Sequence, residues 1–150
     1  MSFLIPPRLV ALLLMIAGPL GLLVPIVGPL TWPIRLIGIV PICIGLALTV
    51  TSAQHFDRIG TNIKTFRDPD QLVADGSFRY SRNPIYPGFL LMLIGVAVLI
   101  GSLSAWVAPI GFWIAGQFWY IPFEEQRMVA TFGAGYEQYQ QQVRRWIGTR

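Results

Sequence analysis

Between Leu9 and Leu30 the chain carries no charged side chain. A helix of that length rises about 30 Å, the thickness of a bilayer's hydrocarbon core. Three further runs share the property: residues 33–53, interrupted by Arg35 near their start, then 84–103 and 105–123. Backbone placed in lipid must satisfy its own N–H and C=O groups, and a helix does so within one segment. The expected fold class is therefore all-α: a polytopic integral membrane protein forming a single membrane domain over residues 1–150. It would have four transmembrane helices (9–30, 33–53, 84–103, 105–123), a cytoplasmic loop (54–83) and an amphipathic C-terminal helix in an interfacial tail (124–150). Composition agrees, with 54% hydrophobic and 12% charged residues, where a soluble domain carries about 25% charged. A cleaved signal peptide competes for the first run, but its apolar core exceeds the roughly 7–15 residues of a signal sequence. Gly18-Pro19 should kink the first helix and Gly28-Pro29 should end it.

With four spans, both termini and the 54–83 loop share one side, and every Lys and Arg except Arg35 falls there. The positive-inside rule makes that side cytoplasmic and the setting a cell (inner) membrane. The net charge of +4 suits anionic lipid headgroups. No basic tract with interleaved aromatics is present, so no nucleic-acid partner is expected.

Several chemistries are excluded. No carboxylate lies deep in an apolar run, which argues against an ion-coupled transporter. One cysteine (Cys43) and one histidine (His55) cannot furnish a zinc or iron site, so no metal is expected. Neither a nucleophile elbow nor a phosphate-binding Gly-rich loop occurs.

What remains is polar residues gathered at one membrane face. The densest stretch is Arg79-Tyr80-Ser81-Arg82-Asn83-Pro84-Ile85-Tyr86-Pro87-Gly88. Asn83 is a preferred N-cap and Pro84 suits the first helical position, so the third helix should begin there. Its N-terminal N–H groups, with Arg79 and Arg82 alongside, read either as an anion site or as an interfacial lipid anchor. Pro87 lacks the N–H that would close the first turn and should leave the Asn83 carbonyl open. After Glu124-Glu125, a stripe of Met128, Phe132, Tyr136, Tyr139, Val143 and Trp146 recurs at helical spacing. Gly133 and Gly135 should break it. An amphipathic helix on the cytoplasmic leaflet, lying either on lipid or over a site, is the plain reading of that stripe.

Leu72-Val73-Ala74-Asp75-Gly76-Ser77-Phe78 followed by Arg79 to Gly88, with Glu124-Glu125, Met128, Phe132-Gly133, Tyr136, Tyr139 and Arg145-Trp146 in order, resembles the signature of the isoprenylcysteine carboxyl methyltransferase and phospholipid methyltransferase superfamily. The resemblance covers about residues 60–147. It implies a methyltransferase that binds S-adenosyl-L-methionine near the cytoplasmic ends of the last two spans and acts on an amphiphilic small-molecule or lipid acceptor from the bilayer. Carried over by position, Asp70, Gln71, Leu72 and Val73 would line the cofactor, and Phe78 would contact it. Asn83, Pro84, Ile85 and Tyr86 would hold its methionine or adenosine part. Glu124 and Glu125, with aromatic faces such as Tyr86 and Tyr136, would suit its cationic amine and sulfonium. Its carboxylate would suit the third helix's N-terminus and the nearby arginines. Arg82 and Tyr120 are the catalytic-side candidates.

Two departures are visible. Many relatives carry His where Asn83 stands, and Asn cannot shuttle a proton. Relatives that methylate protein carboxyls carry an Arg where Tyr120 stands, and a tyrosine cannot pair bidentately with a carboxylate. A nicotinamide-dependent membrane reductase of similar architecture is the first alternative; for basic residues outside the motif its loop offers few, Lys64 and Arg67 among them. A non-catalytic membrane protein is the second.

Overall fold

Apolar runs this rich in Leu, Ile and Val become helices here. What decides their arrangement is where small residues let two backbones meet. The computed structural model describes residues 5–26, 30–59 and 71–150. Helix α1 (Pro6–Leu23) runs through Pro19 without ending. It stops at Leu23, where Val24 N–H donates to the Leu20 carbonyl, ahead of the expected terminator Gly28-Pro29, which lies outside the described residues. A short 3-10 segment (Ile34–Gly38) leads into α2 (Ile39–Ile59). Helix α3 (Ile85–Ile100) ends at Gly101, whose φ of 72° gives a left-handed cap.

The fourth run does not end at Phe123. Helix α4 (Val107–Ala115) passes through a π-helical turn (Gly116–Tyr120) into α5 (Ile121–Phe132). The widening has a local cause. Pro122 cannot donate, and its ring crowds the carbonyl of the preceding turn. The helix opens by one residue just upstream, where Ile121 N–H reaches back to the Gly116 carbonyl. Gly133, at φ 51°, then turns the chain into α6 (Ala134–Gln142). Gly135, the second expected break, lies inside α6.

The main core is shared by α1, α3, α4 and the start of α5: Val10, Ala17, Tyr86, Leu93, Ala108, Phe112 and Ile121 are buried together. Helix α2 packs on the opposite side of α3, antiparallel to it, along a glycine seam. A Cβ on Gly38 would meet the Gly95 carbonyl, and one on Gly45 would meet the Gly88 carbonyl. The same clashes arise in reverse from Gly95 and Gly88. Glycines spaced seven apart on each helix bring the backbones into direct contact, which favours association where the medium is as apolar as the side chains.

Two helices are long and apolar enough to cross a bilayer by length and composition, Pro6–Leu23 and Ile34–Arg58, while Ile85–Ile100 is shorter. Leu22, Leu23, Ile37, Val40, Ile44, Trp113, Phe118 and Trp119 face outward. An apolar exterior of that extent is what lipid would cover.

Candidate functional site

The polar residues collect at the end of the molecule where α3 begins. Arg82 and Glu125 are separated by 43 positions and meet there: Arg82 Nε and Nη2 donate to Glu125 Oε1 at 3.1 and 2.6 Å. The second carboxylate oxygen takes Arg145 Nη2 at 2.6 Å. Arg82 Nη1 donates to the carbonyls of Gln140 (3.1 Å) and Val143 (2.7 Å). The Arg82 and Glu125 side chains are only 6% and 8% exposed. At that depth a lone charge would be costly; here the two arginines share one carboxylate, and Arg82 has backbone carbonyls besides. Arg82 and Glu125 thus form a buried clamp, with each oxygen of Glu125 engaged by an arginine.

Glu124 points elsewhere. Tyr86 Oη donates to its Oε1 at 2.9 Å, tying the first turn of α3 to the first turn of α5. Around that bond stand aromatic rings. Tyr86 lies 6.1 Å from Phe112 and 6.5 Å from Tyr120, centroid to centroid. Trp146 packs against the same core, its indole N–H donating to Gln117 Oε1 at 2.7 Å. Gln117 belongs to the π-helical turn, and its carbonyl accepts Arg145 Nη1 at 3.4 Å. In a regular helix that carbonyl would serve Ile121 N–H, which here bonds to Gly116 instead. The widened turn therefore frees an acceptor for the tail.

The mouth of α3 differs from its reading in the sequence. Its N-cap is Pro84, with no side-chain cap bond, and not Asn83. Asn83 is satisfied across the chain: Nδ2 donates to the Arg145 carbonyl at 3.3 Å, and its N–H donates to Ser81 Oγ at 3.1 Å. The absence of a Pro87 N–H does not leave the Asn83 carbonyl open, because Tyr86 N–H donates to it at 3.0 Å. With two prolines and a bonded Tyr86 N–H, this helix mouth offers an anion few donors. Arg82 is engaged by Glu125, so of the two arginines beside this terminus it is not available to an anion, while Arg79 is exposed.

The tail is not laid out along a flat surface. Tyr136, Tyr139 and Val143 are buried against Leu72, Met128, Val129 and Phe132, so this part of the stripe points into protein. Tyr139 Oη donates to the Phe78 carbonyl at 2.5 Å and to the Ser81 carbonyl at 3.4 Å, which ties the stripe to the loop before α3. Burial, then the Glu125 charge, pushes the Tyr136 phenol up to about 12. Residues after α6 double back: Val143 bridges Thr149, Arg82 N–H reaches the Arg144 carbonyl and Gly148 N–H the Tyr80 carbonyl.

Of the remaining residues singled out in the sequence, Gln71 is exposed, Leu72 packs under α6, Val73 is buried, and Phe78 is buried against Phe56 at 4.8 Å. Pro84 is buried and Ile85 half-buried at the head of α3. Asp70, Lys64 and Arg67 lie outside the described residues. The 72–79 segment docks on the end of α2, where His55 Nε2 and Asp75 Oδ1 are 2.8 Å apart and Ser52 and Ser77 hydroxyls 2.9 Å. The hydrogen bond from His55 holds the Asp75 carboxyl below its usual range. A cleft of about 410 Å³ opens beside this segment, lined by Asp75, Arg79, Tyr139 and Gln142 among others; Asn83, Tyr86 and Glu124 do not line it. No group of three or more His, Cys, Asp or Glu placed to hold a metal occurs among the described residues.

Trp146 and Gln117 were not singled out as site residues from the sequence. Nothing local marks Gln117, since the π-turn that uses it depends on Pro122 and on a tail 29 positions away.

A family model described as phospholipid methyltransferase matches residues 34–135. A probable protein-S-isoprenylcysteine O-methyltransferase of Oryza sativa subsp. indica is 30% identical over 120 residues, covering 75% of this chain and 60% of that protein. Protein-S-isoprenylcysteine O-methyltransferase B of Arabidopsis thaliana is 30% identical over 117 residues, 75% of this chain and 58% of that protein. Protein-S-isoprenylcysteine O-methyltransferase of Schizosaccharomyces pombe is 33% identical over 110 residues, 68% of this chain and 44% of that protein. The chain thus spans 44–60% of the length of these curated relatives. No solved structure matches.

Proposed function

Since the chain belongs to the phospholipid methyltransferase family, we propose that it is a membrane methyltransferase using S-adenosyl-L-methionine, with an amphiphilic acceptor reached from the bilayer. The donor supplies a methyl group already activated on a sulfonium sulfur. Everything else falls to the residues at the mouth of α3: binding, alignment and exclusion of water, of which alignment alone can be worth about 7–11 kcal/mol of a barrier.

The observation that carries this reading is the bond between Tyr86 and Glu124 (2.9 Å). It joins a half-buried carboxylate to a group of aromatic rings, a donor set that suits a cation. The same set suits an ammonium or sulfonium group better than a phosphate, which favours the methyl donor over a nicotinamide dinucleotide. Arg82 and Glu125 take a positioning role: their clamp fixes α5 against α3 and so sets where Glu124 stands. Tyr120, 6.5 Å from the Tyr86 ring, would face the acceptor with a single hydrogen-bonding hydroxyl. Gln71, Leu72, Val73, Phe78, Asn83, Pro84 and Ile85 remain as lining candidates. Four spans, both termini and the polar end on the cytoplasmic side of a cell membrane complete the reading. The distribution of Lys and Arg supports it.

The test is calorimetry of S-adenosylhomocysteine with the purified protein in detergent. Saturable binding is expected, and Glu124→Gln should weaken it about tenfold, the size of one charge-assisted hydrogen bond. No heat of binding at millimolar ligand would remove the enzymatic reading. A thermal shift produced by NADPH but not by S-adenosylmethionine would favour the reductase instead.

A further inference from the structure

The tail brings one more aromatic ring beside Tyr86, and the surroundings hold that ring in a fixed pose. Its indole N–H is tied to Gln117 on the π-turn at 2.7 Å. The residue before it, Arg145, is pinned by Glu125 at 2.6 Å. The backbone on either side is held to the loop before α3 through Arg82 N–H to the Arg144 carbonyl (3.1 Å) and Gly148 N–H to the Tyr80 carbonyl (2.7 Å). Across Gly116 the indole and the Tyr86 ring converge: a Cβ there would stand 3.2 Å from the Trp146 ring and 3.5 Å from the Tyr86 ring. Glycine at this position leaves room for both. Trp146 is half-buried.

We infer that Trp146 forms a wall of the donor site and presents its indole face to the positively charged sulfonium, with Glu124 and Tyr86 on the other sides. This rests on the methyl-donor reading above. Indole is the strongest of the aromatic faces for a cation. Both arginines of the cluster are turned onto Glu125, while Glu124 is bonded to Tyr86.

The donor and its demethylated product make the test selective. S-adenosylmethionine carries the sulfonium charge, and S-adenosylhomocysteine is a neutral thioether of nearly the same shape. Calorimetry of both ligands on the full chain in detergent measures their affinity ratio. Trp146→Leu is expected to weaken S-adenosylmethionine about tenfold and S-adenosylhomocysteine less than about threefold. Trp146→Phe, which keeps an aromatic ring in the core and guards against a folding defect, should weaken S-adenosylmethionine about threefold with little change for the product. Equal weakening of the two ligands by both variants, or no weakening of either, would overturn the inference and leave Trp146 as packing. A wild-type protein that binds neither ligand would instead bring down the donor reading and this inference together.

Discussion

Arg35 and Arg82 stand at opposite ends of α3, and both hold backbone carbonyls, yet they build different things. Arg35 donates through Nη1 to the Ile100 carbonyl (3.0 Å) and through Nε to Leu30 (2.9 Å). Its side chain lies where Gly101 lacks a Cβ. That is a cap: it satisfies the last turn of a helix and places a cation at the negative end of its dipole. Arg82 also takes two carbonyls, but adds a buried carboxylate, and that carboxylate brings in a second arginine from the tail. The extra groups exceed anything helix termination requires. They lock three segments distant in sequence around the neighbouring pair of Glu124 and Tyr86. The contrast teaches that the number of charges at a helix end is a poor guide to function. What matters is whether they are arranged beyond the needs of the backbone.

Removing the clamp should have the largest effect. Glu125→Ala leaves Arg82 buried without its counter-charge, and a loss of about 3–5 kcal/mol is expected, read as a fall in the unfolding midpoint in detergent. A much smaller loss would mean that the two ends of α3 are equivalent. Arg35→Ala comes next, with a loss of about 1.5–3 kcal/mol from its charged hydrogen bonds and unchanged binding of S-adenosylhomocysteine. If that variant lost ligand affinity as well, the separation between a structural end and a working end would fail. The smallest effect belongs to the exposed pair of His55 and Asp75. Its carboxyl is held low by the hydrogen bond from His55. The contribution is therefore complete above the ordinary carboxylate range near 3.8 and is lost as pH falls through the lowered value. Melting curves of wild type and Asp75→Asn should differ at neutral pH and converge in acid; a gap that persists at low pH would show another origin.

Much of this molecule can be read along the chain, and some of it cannot. Pattern alone points to helices at all four apolar runs, since long uncharged stretches have few alternatives. It also locates Tyr86 and Glu124 in motifs, 38 positions apart, that the fold does join. The Asn83 cap was misread because its preference for a helix N-terminus is local, while its actual acceptor is the Arg145 carbonyl, 62 positions on. What covers the tail stripe was not legible for a related reason. Periodicity reveals that one face is apolar but not its neighbour, and Tyr139 finds the carbonyls of Phe78 and Ser81, 61 and 58 positions away.

Hydrophobicity and the spacing of charges were enough to settle that this chain is helical and where its polar residues gather, because those depend on near neighbours. Only the tertiary structure decided that Glu125 is clamped between two arginines while Glu124 is paired with Tyr86. Adjacent glutamates look alike in a string of letters. On a helix they are turned about 100° apart, and each meets a different part of the chain.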